Sequence, residues 1–240
     1  MICKLCQKEK ELTKSHIIPK VFFDFLYTER NEGSLIMVGK NKHNKRRPVG
    51  SYEKLLCTEC EQMLGVYDDY AQGLLLKKPL KFYPDVEKLA YLIGTYDYAK
   101  LKLFFLSLLW RSSIASLEEF GHIDVGSFES RLKELILSQS VGKDDEFSVF
   151  ITRFDSNDEK IKFIVKRSIM LPAKQKIDGI NYSVFYLSNG YKIYIKVDKR
   201  SSIDIYRKFI LKNNHSLVIL RLDNFENSPE YKILLDMVKR

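Results

Sequence analysis

Four cysteines in two identical spacings, Cys3-Lys4-Leu5-Cys6 and Cys57-Thr58-Glu59-Cys60, are the residues of this chain best suited to chemistry. Two Cys-x-x-Cys pairs bring four soft thiolates together from two chain elements, which is the donor set of a tetrahedral structural zinc site. No cysteine is left over. The opening residues MICKLCQKEK show no apolar stretch behind their first basic residue. No secretory signal is therefore expected, and a cytoplasmic location is. In that reducing compartment, paired cysteines point to metal rather than to disulfides. The long interval between the two pairs must then carry structure of its own.

Inside that interval lies Leu12-Thr13-Lys14-Ser15-His16-Ile17-Ile18-Pro19-Lys20, and the second pair is entered through Leu55-Leu56 and followed directly by Glu61. On these residues the chain, over residues 1 to about 75, resembles the HNH-type endonucleases, the treble-clef or ββα-metal group. SHIIPK followed by LLCxxCE is also similar to uncharacterised bacterial proteins of the same build. The resemblance implies that His16 is a general base that deprotonates the water attacking phosphorus. It also implies one catalytic divalent ion, Mg²⁺ or Mn²⁺, distinct from the structural zinc. By position the ligand on the helix is Glu61, and the ligand before the histidine falls on Ser15. A neutral hydroxyl there is a departure, because hard cations favour carboxylate oxygen. The family's central Asn also has no match, since Tyr52 and Glu53 stand in its place and Asn41, His43 and Asn44 are the nearby substitutes.

Read without the resemblance, the same residues leave alternatives open. A histidine titrates near neutrality and suits general-base work, yet His16 between Ser15 and the apolar Ile17-Ile18 also fits a structural role. Thr58-x-x-Glu61 matches a helix capping box as well as a metal ligand. Asp68 and Asp69 lie about two turns beyond Glu61, roughly 10.5 Å along a helix, too far along the axis to share an ion with it directly. Lys40, Lys42, His43, Lys45, Arg46 and Arg47 form the most basic run of the chain. As a loop it would clamp phosphate, or else be simply solvated. Tyr67, Tyr70, Tyr96 and Tyr98 are expected to pack rather than to stack on bases.

The elements that must position these groups follow from periodicity. A short strand is expected around Thr13–Lys20, a turn or short helix over Val21–Tyr27, a second strand over Ser34–Gly39, and a helix from Thr58 that carries Cys60 in its first turn. Residues 79 to 142 read as helical. Within them Leu101–Leu117 is apolar almost all round and hence buried, with Lys102 and Arg111 expected to reach its edges. Phe128, Leu132, Leu135 and Ile136 form one face of a further helix. After Gly142 the period changes to two, with strands expected at Phe147–Phe154 and Ile161–Val165. A hairpin is expected about Asn189-Gly190, a strand over Leu217–Leu222, and a closing helix after Ser228-Pro229-Glu230. The fold class is α+β. A zinc module spans 1–78, followed over 79–240 by a helical segment and a C-terminal antiparallel sheet for target or partner binding.

Hydrophobic residues make up 45% and charged residues 30%, a balance that supports a core, and the formal net charge of +9 favours polyanionic partners. No apolar stretch approaches the roughly 20 residues a membrane span needs. No P-loop, dinucleotide-binding glycine pattern, GxSxG elbow or HExxH is present, which leaves nucleotide hydrolysis, redox and serine- or zinc-protease chemistry unsupported. The expected function is a metal-dependent endonuclease acting on DNA, with a protein partner or activator and a role such as phage defence. The alternative is a non-catalytic zinc module that binds nucleic acid or protein.

Overall fold

The computed structural model describes residues 1–24, 26, 34–39, 42–48, 50–84, 88–121, 123–213 and 215–238. Seventeen residues in the middle of the chain organise the rest. Helix α3 (Tyr98–Ile114) starts where the Asp97 carboxylate accepts the Lys100 N–H at 3.0 Å. It buries Leu103, Phe104, Phe105, Leu108, Leu109 and Trp110 to 3% exposure or less. On one side it packs against α2 (Thr58–Gln72), which continues into a π-helical turn over Gly73–Lys77. On the other it contributes to the core of a seven-stranded sheet, where Ile151, Ile193 and Ile219 belong to the same apolar cluster as Leu5, Leu55 and Leu64.

The N-terminal elements are β1 (Leu12–His16), α1 (Val21–Asp24), β2 (Ser34–Gly39), β3 (Lys42–Pro48) and β4 (Tyr52–Cys57). β1 pairs antiparallel with β4, and β2 with β3, so the second pair is an arm inserted between the strands of the first. The basic run is thus a strand over Lys42–Pro48 rather than a loop, because Ser34–Gly39 offers it an apolar, β-prone partner. Lys40, Asn41 and Tyr27 lie outside the described residues.

The large sheet takes β5 (Lys81–Phe82), β6 (Ala90–Ile93), β7 (Val149–Phe154), β8 (Met170–Ile177), β9 (Ile180–Leu187), β10 (Tyr191–Lys196) and β11 (Leu217–Leu222) in the order β5-β6-β11-β7-β10-β9-β8. Two expectations are corrected here. Residues 79 to 142 are not helical throughout, for they supply β5 and β6 before α3 and α4 (Glu129–Leu137). The sheet is also mixed, since β11 runs parallel to β7 while its other pairings are antiparallel.

A third correction concerns Ile161–Val165, which lies in helix α5 (Glu159–Lys166) and not in a strand. Asp158 caps it by accepting the N–H groups of Lys160 (2.8 Å) and Ile161 (3.1 Å). Ile161, Ile164 and Val165, at helical spacing, then pack on Phe154 and Phe225, while Phe163 faces solvent. Lys102 and Arg111 do not reach the edges of α3 either. They are 0% and 1% exposed and bond inside the protein. Helices α6 (Asp204–Arg207) and α7 (Pro229–Val238) complete the chain, with the Ser228 hydroxyl accepting the Tyr231 N–H at 3.1 Å. Among the described residues no helix is long and apolar enough to cross a membrane.

At the expected hairpin, Asn189 and Gly190 both take left-handed backbone angles, φ 63° and 80°, between β9 and β10. A Cβ on Gly190 would stand 2.6 Å from both the Phe154 carbonyl oxygen and Val165 Cγ1. Gly190→Ala is therefore expected to cost about 1–3 kcal/mol from backbone strain and overpacking. Gly65 sits inside α2, where a Cβ would meet nothing within 4 Å. Gly65→Ala should instead gain about 0.5–1 kcal/mol through helix propensity. Urea unfolding of both variants checks the pair of opposite signs.

Candidate functional site

The cysteines meet where an N-terminal turn touches the junction of β4 and α2. The turn is closed by the Cys3 N–H donating to Lys8 O and the Gln7 N–H to Cys3 O, both at 3.0 Å, and Gln7 takes a left-handed φ of 58°. It is fastened to β4 by the Lys4 N–H donating to Leu55 O at 2.9 Å. Cys57 ends β4 and caps α2, and Cys60 lies in the first turn of that helix. All four sulfurs lie within 4.8 Å of one another, with Cys6 and Cys57 Sγ 3.8 Å apart. Sulfurs bound at about 2.3 Å to one tetrahedral ion stand roughly 3.8 Å from each other, so the spacing suits ligands of a shared ion. All four are free thiols. Among the described residues no other group of three or more His, Cys, Asp or Glu ligand atoms comes this close.

The electrostatics point the same way. Burial pushes the Cys57 and Cys60 thiols up, and for Cys60 the crowding of the other three sulfurs adds to it. Burial also acts upward on Cys3, but amide hydrogen bonds led by the Cys57 N–H (3.4 Å) outweigh it and bring that thiol down to about 7. Four clustered thiolates repel one another and resist ionising unless a cation sits among them. A metal ion bound by all four removes that conflict.

Next to this centre, β1 carries Ser15 and His16. Its register with β4 runs from Leu12↔Cys57 to His16↔Tyr52 and skips Leu55. The bulge explains why three consecutive residues, Leu55, Leu56 and Cys57, are all buried. His16 is half-buried at the end of β1, its ring edge-on to Tyr52 at 5.9 Å. Burial lowers its pKa below the ordinary histidine value, Arg111 and Lys20 lower it further, and Asp68 opposes them. Each of the lowering influences favours the neutral imidazole.

Glu61, one residue past Cys60, does not cap α2, because the N-cap is Cys57 and makes no side-chain capping bond. Its carboxyl is held above the ordinary range by burial and by Asp68, with the Ser15 hydroxyl and Arg111 partly offsetting them. Ser15 is fully buried, and its hydroxyl lies near enough to the Glu61 carboxyl to favour the charged form, but neither it nor Glu61 Oε2 reaches full hydrogen-bonding geometry with a group of the protein.

One pairing around this spot was missed by sequence reasoning. Arg111 on α3 donates to both oxygens of Asp68 (2.7 and 2.9 Å) and to the His16 carbonyl oxygen (3.1 Å), tying α2, α3 and β1 together. The signals were present. Asp68 is seven residues from Glu61 and so returns to the same helix face, and an arginine on a buried helix requires a carboxylate. The expected aromatic packing holds, for Tyr67 and Tyr98 are buried in the core and Tyr70 and Tyr96 pack partly buried against it, with the Tyr67 hydroxyl donating to Gln139 Oε1 and the Tyr70 hydroxyl accepting the Asp97 N–H.

The purified chain is expected to hold about one tightly bound metal ion, and Cys57→Ser to lose the ion together with much of the stability of the N-terminal module. Elemental analysis with thermal unfolding checks this, and four reactive thiols in a folded, metal-free chain would be the contrary result. Arg111→Met should cost about 3–5 kcal/mol by leaving Asp68 without its partner, and adding Asp68→Leu should recover part of the loss. Denaturant unfolding of the two variants reads that difference.

Compared with protein-family models, with curated proteins and with solved structures, the chain shows no match, so its activity has to be argued from the chemistry of this site.

Proposed function

We propose that the four cysteines hold a structural zinc ion in a treble-clef arrangement, and that the chain is a metal-dependent endonuclease of HNH type acting on DNA. Zinc is the ion best matched to four thiolates in tetrahedral array. The order of a two-cysteine turn, a β1–β4 pair and a helix carrying the second pair in its first turn is consistent with the treble clef.

The observation that carries the nuclease reading is the buried Oε2 of Glu61, which has no hydrogen-bond partner within the protein, close to the Ser15 hydroxyl and within the electrostatic reach of Arg111 that also acts on His16. A buried carboxylate oxygen left without a partner is costly, and a cation is what would offset it. Bound there, Mg²⁺ or Mn²⁺ would stabilise charge on the leaving oxygen. The neutral form of His16, which its surroundings favour, is the state that accepts a proton from water. Lys42, His43, Lys45, Arg46 and Arg47 all belong to the strand Lys42–Pro48, and a run of cations of this density supports contacts to phosphate.

One observation favours the alternative, a non-catalytic zinc module that binds nucleic acid or protein. Asp68, the other carboxylate on that face of α2, is already engaged on both oxygens by Arg111, and Ser15 is neutral, which leaves Glu61 as the only charged oxygen ligand of the group.

His16→Ala is expected to lower cleavage by about 10² to 10⁴ with the fold and zinc content unchanged. The readout is a metal-titrated assay on plasmid, single-stranded DNA and RNA. Wild-type protein that cuts none of these with any divalent ion would leave the binding module as the better account. Replacing Lys45, Arg46 and Arg47 by Ala should flatten the salt dependence of DNA binding by roughly 0.9 in log-log slope per lost phosphate contact.

Glu61→Gln supplies a test that needs no turnover. The folded-state pKa of Glu61 lies above its unfolded value, so the folded protein binds the proton more tightly. The charged form consequently costs stability above that raised pKa, and the cost vanishes as pH falls below the unfolded value. Without added divalent ions, Glu61→Gln should melt higher than wild type at neutral pH and alike at low pH. With added Mg²⁺ or Mn²⁺, wild type alone should gain melting temperature.

A further inference from the structure

A cleft of about 310 Å³ is lined by residues other than those around the cysteines. Strand β6 and the segments before and after it give it Tyr83, Leu92 and Tyr96, and the segment between α6 and β11 gives it Lys208, Lys212 and His215. Tyr96 precedes Asp97, whose N–H meets the Tyr70 hydroxyl in the last turn of α2, whereas Cys60 is in the first.

Its wall is pre-set. The Tyr96 hydroxyl donates to the Lys212 carbonyl oxygen (2.8 Å) and accepts the Lys212 N–H (3.1 Å), so one phenol holds both backbone polar groups of that residue. Burial pushes this phenol up to about 12, which keeps it protonated as a donor. The Lys212 side chain is left out of these bonds. Three basic side chains line the cleft and no carboxylate does, and among the described residues Lys208, Lys212 and His215 form no ion pair.

From this geometry we infer that the cleft binds a nucleoside phosphate, its phosphate held by Lys208, Lys212 and His215 and its base lying against the Tyr83–Leu92–Tyr96 wall. Lysine and histidine donors without a competing carboxylate recognise phosphate oxygens, and a tyrosine wall offers a flat partner to a ring. A volume of about 310 Å³ is at the small end of ligand sites and admits one nucleotide rather than an extended strand. The inference stands independently of the nuclease reading, since it uses none of the residues around Cys60 and His16.

The test is calorimetric titration of the full chain with AMP, adenosine, inorganic phosphate and a 5′-phosphorylated trinucleotide at fixed low salt. The expected result is saturable binding of AMP or of the trinucleotide, tighter than that of adenosine or phosphate alone. The tighter of the two phosphorylated probes tells whether the source is a free nucleotide or a strand end. Lys208→Glu/Lys212→Glu should weaken that binding at least about tenfold. Lys174→Glu/Lys176→Glu, on the exposed edge strand β8, should leave it unchanged. Circular dichroism and melting temperature establish that both double variants are folded. Adenosine binding as tightly as AMP, equal losses in the two double variants, or no saturable binding of any probe would each overturn the proposal.

Discussion

A helix buried on every side has to dispose of its charges internally, and that constraint shapes the protein around α3. Lys102 solves it towards the sheet, donating to the carbonyl oxygens of Glu146 (2.9 Å) and Phe147 (2.5 Å) just before β7 begins, and burial brings its amine down to about 7. Arg111, nine residues further on, solves it towards the metal module through Asp68 and the His16 carbonyl oxygen. Each bond satisfies a charge that would be costly if left alone, and each also fixes a neighbour. The result is that the strand carrying Ser15 and His16, the helix carrying Glu61, and the start of β7 all take their positions from one element. The same Arg111 charge acts on both His16 and Glu61, lowering the pKa of each. One cation thus favours a neutral imidazole and opposes, without overcoming, the burial that favours a protonated Glu61 carboxyl.

Much of this was legible in the residues, and the limits are physical. The four cysteines announced their own convergence because spacing and ligand chemistry are local properties. The Asn189-Gly190 turn, the capped helix after Ser228 and the buried helix about Trp110 were equally plain. What failed was period over short spans. Ile161, Phe163 and Val165 alternate, yet Ile161, Ile164 and Val165 are also helical neighbours, and the cap at Asp158 decided between the two. β5 and β6 are only two and four residues long and border two prolines, too little for either period to register. The parallel pairing of β11 with β7 is a tertiary outcome with no local signature. At the candidate site His16 and Glu61 were visible, while the Asp68–Arg111 pair joins residues 43 apart in sequence and depends on how α2 and α3 cross.

The arm formed by β2 and β3 interrupts the module between the two strands that hold its metal ligands in place. An ion shared by Cys6 and Cys57 acts as a reversible cross-link that closes a loop of about 50 residues, worth about 4 kcal/mol against the unfolded chain on a loop-entropy account. Because closure entropy grows only with the logarithm of length, doubling that insertion would cost about 0.6 kcal/mol more. The metal centre is in this sense indifferent to what is spliced into it. The length and charge of the arm are free to vary among descendants of this chain while the cysteines keep their geometry, so the insertion and the module that carries it can change on separate evolutionary schedules.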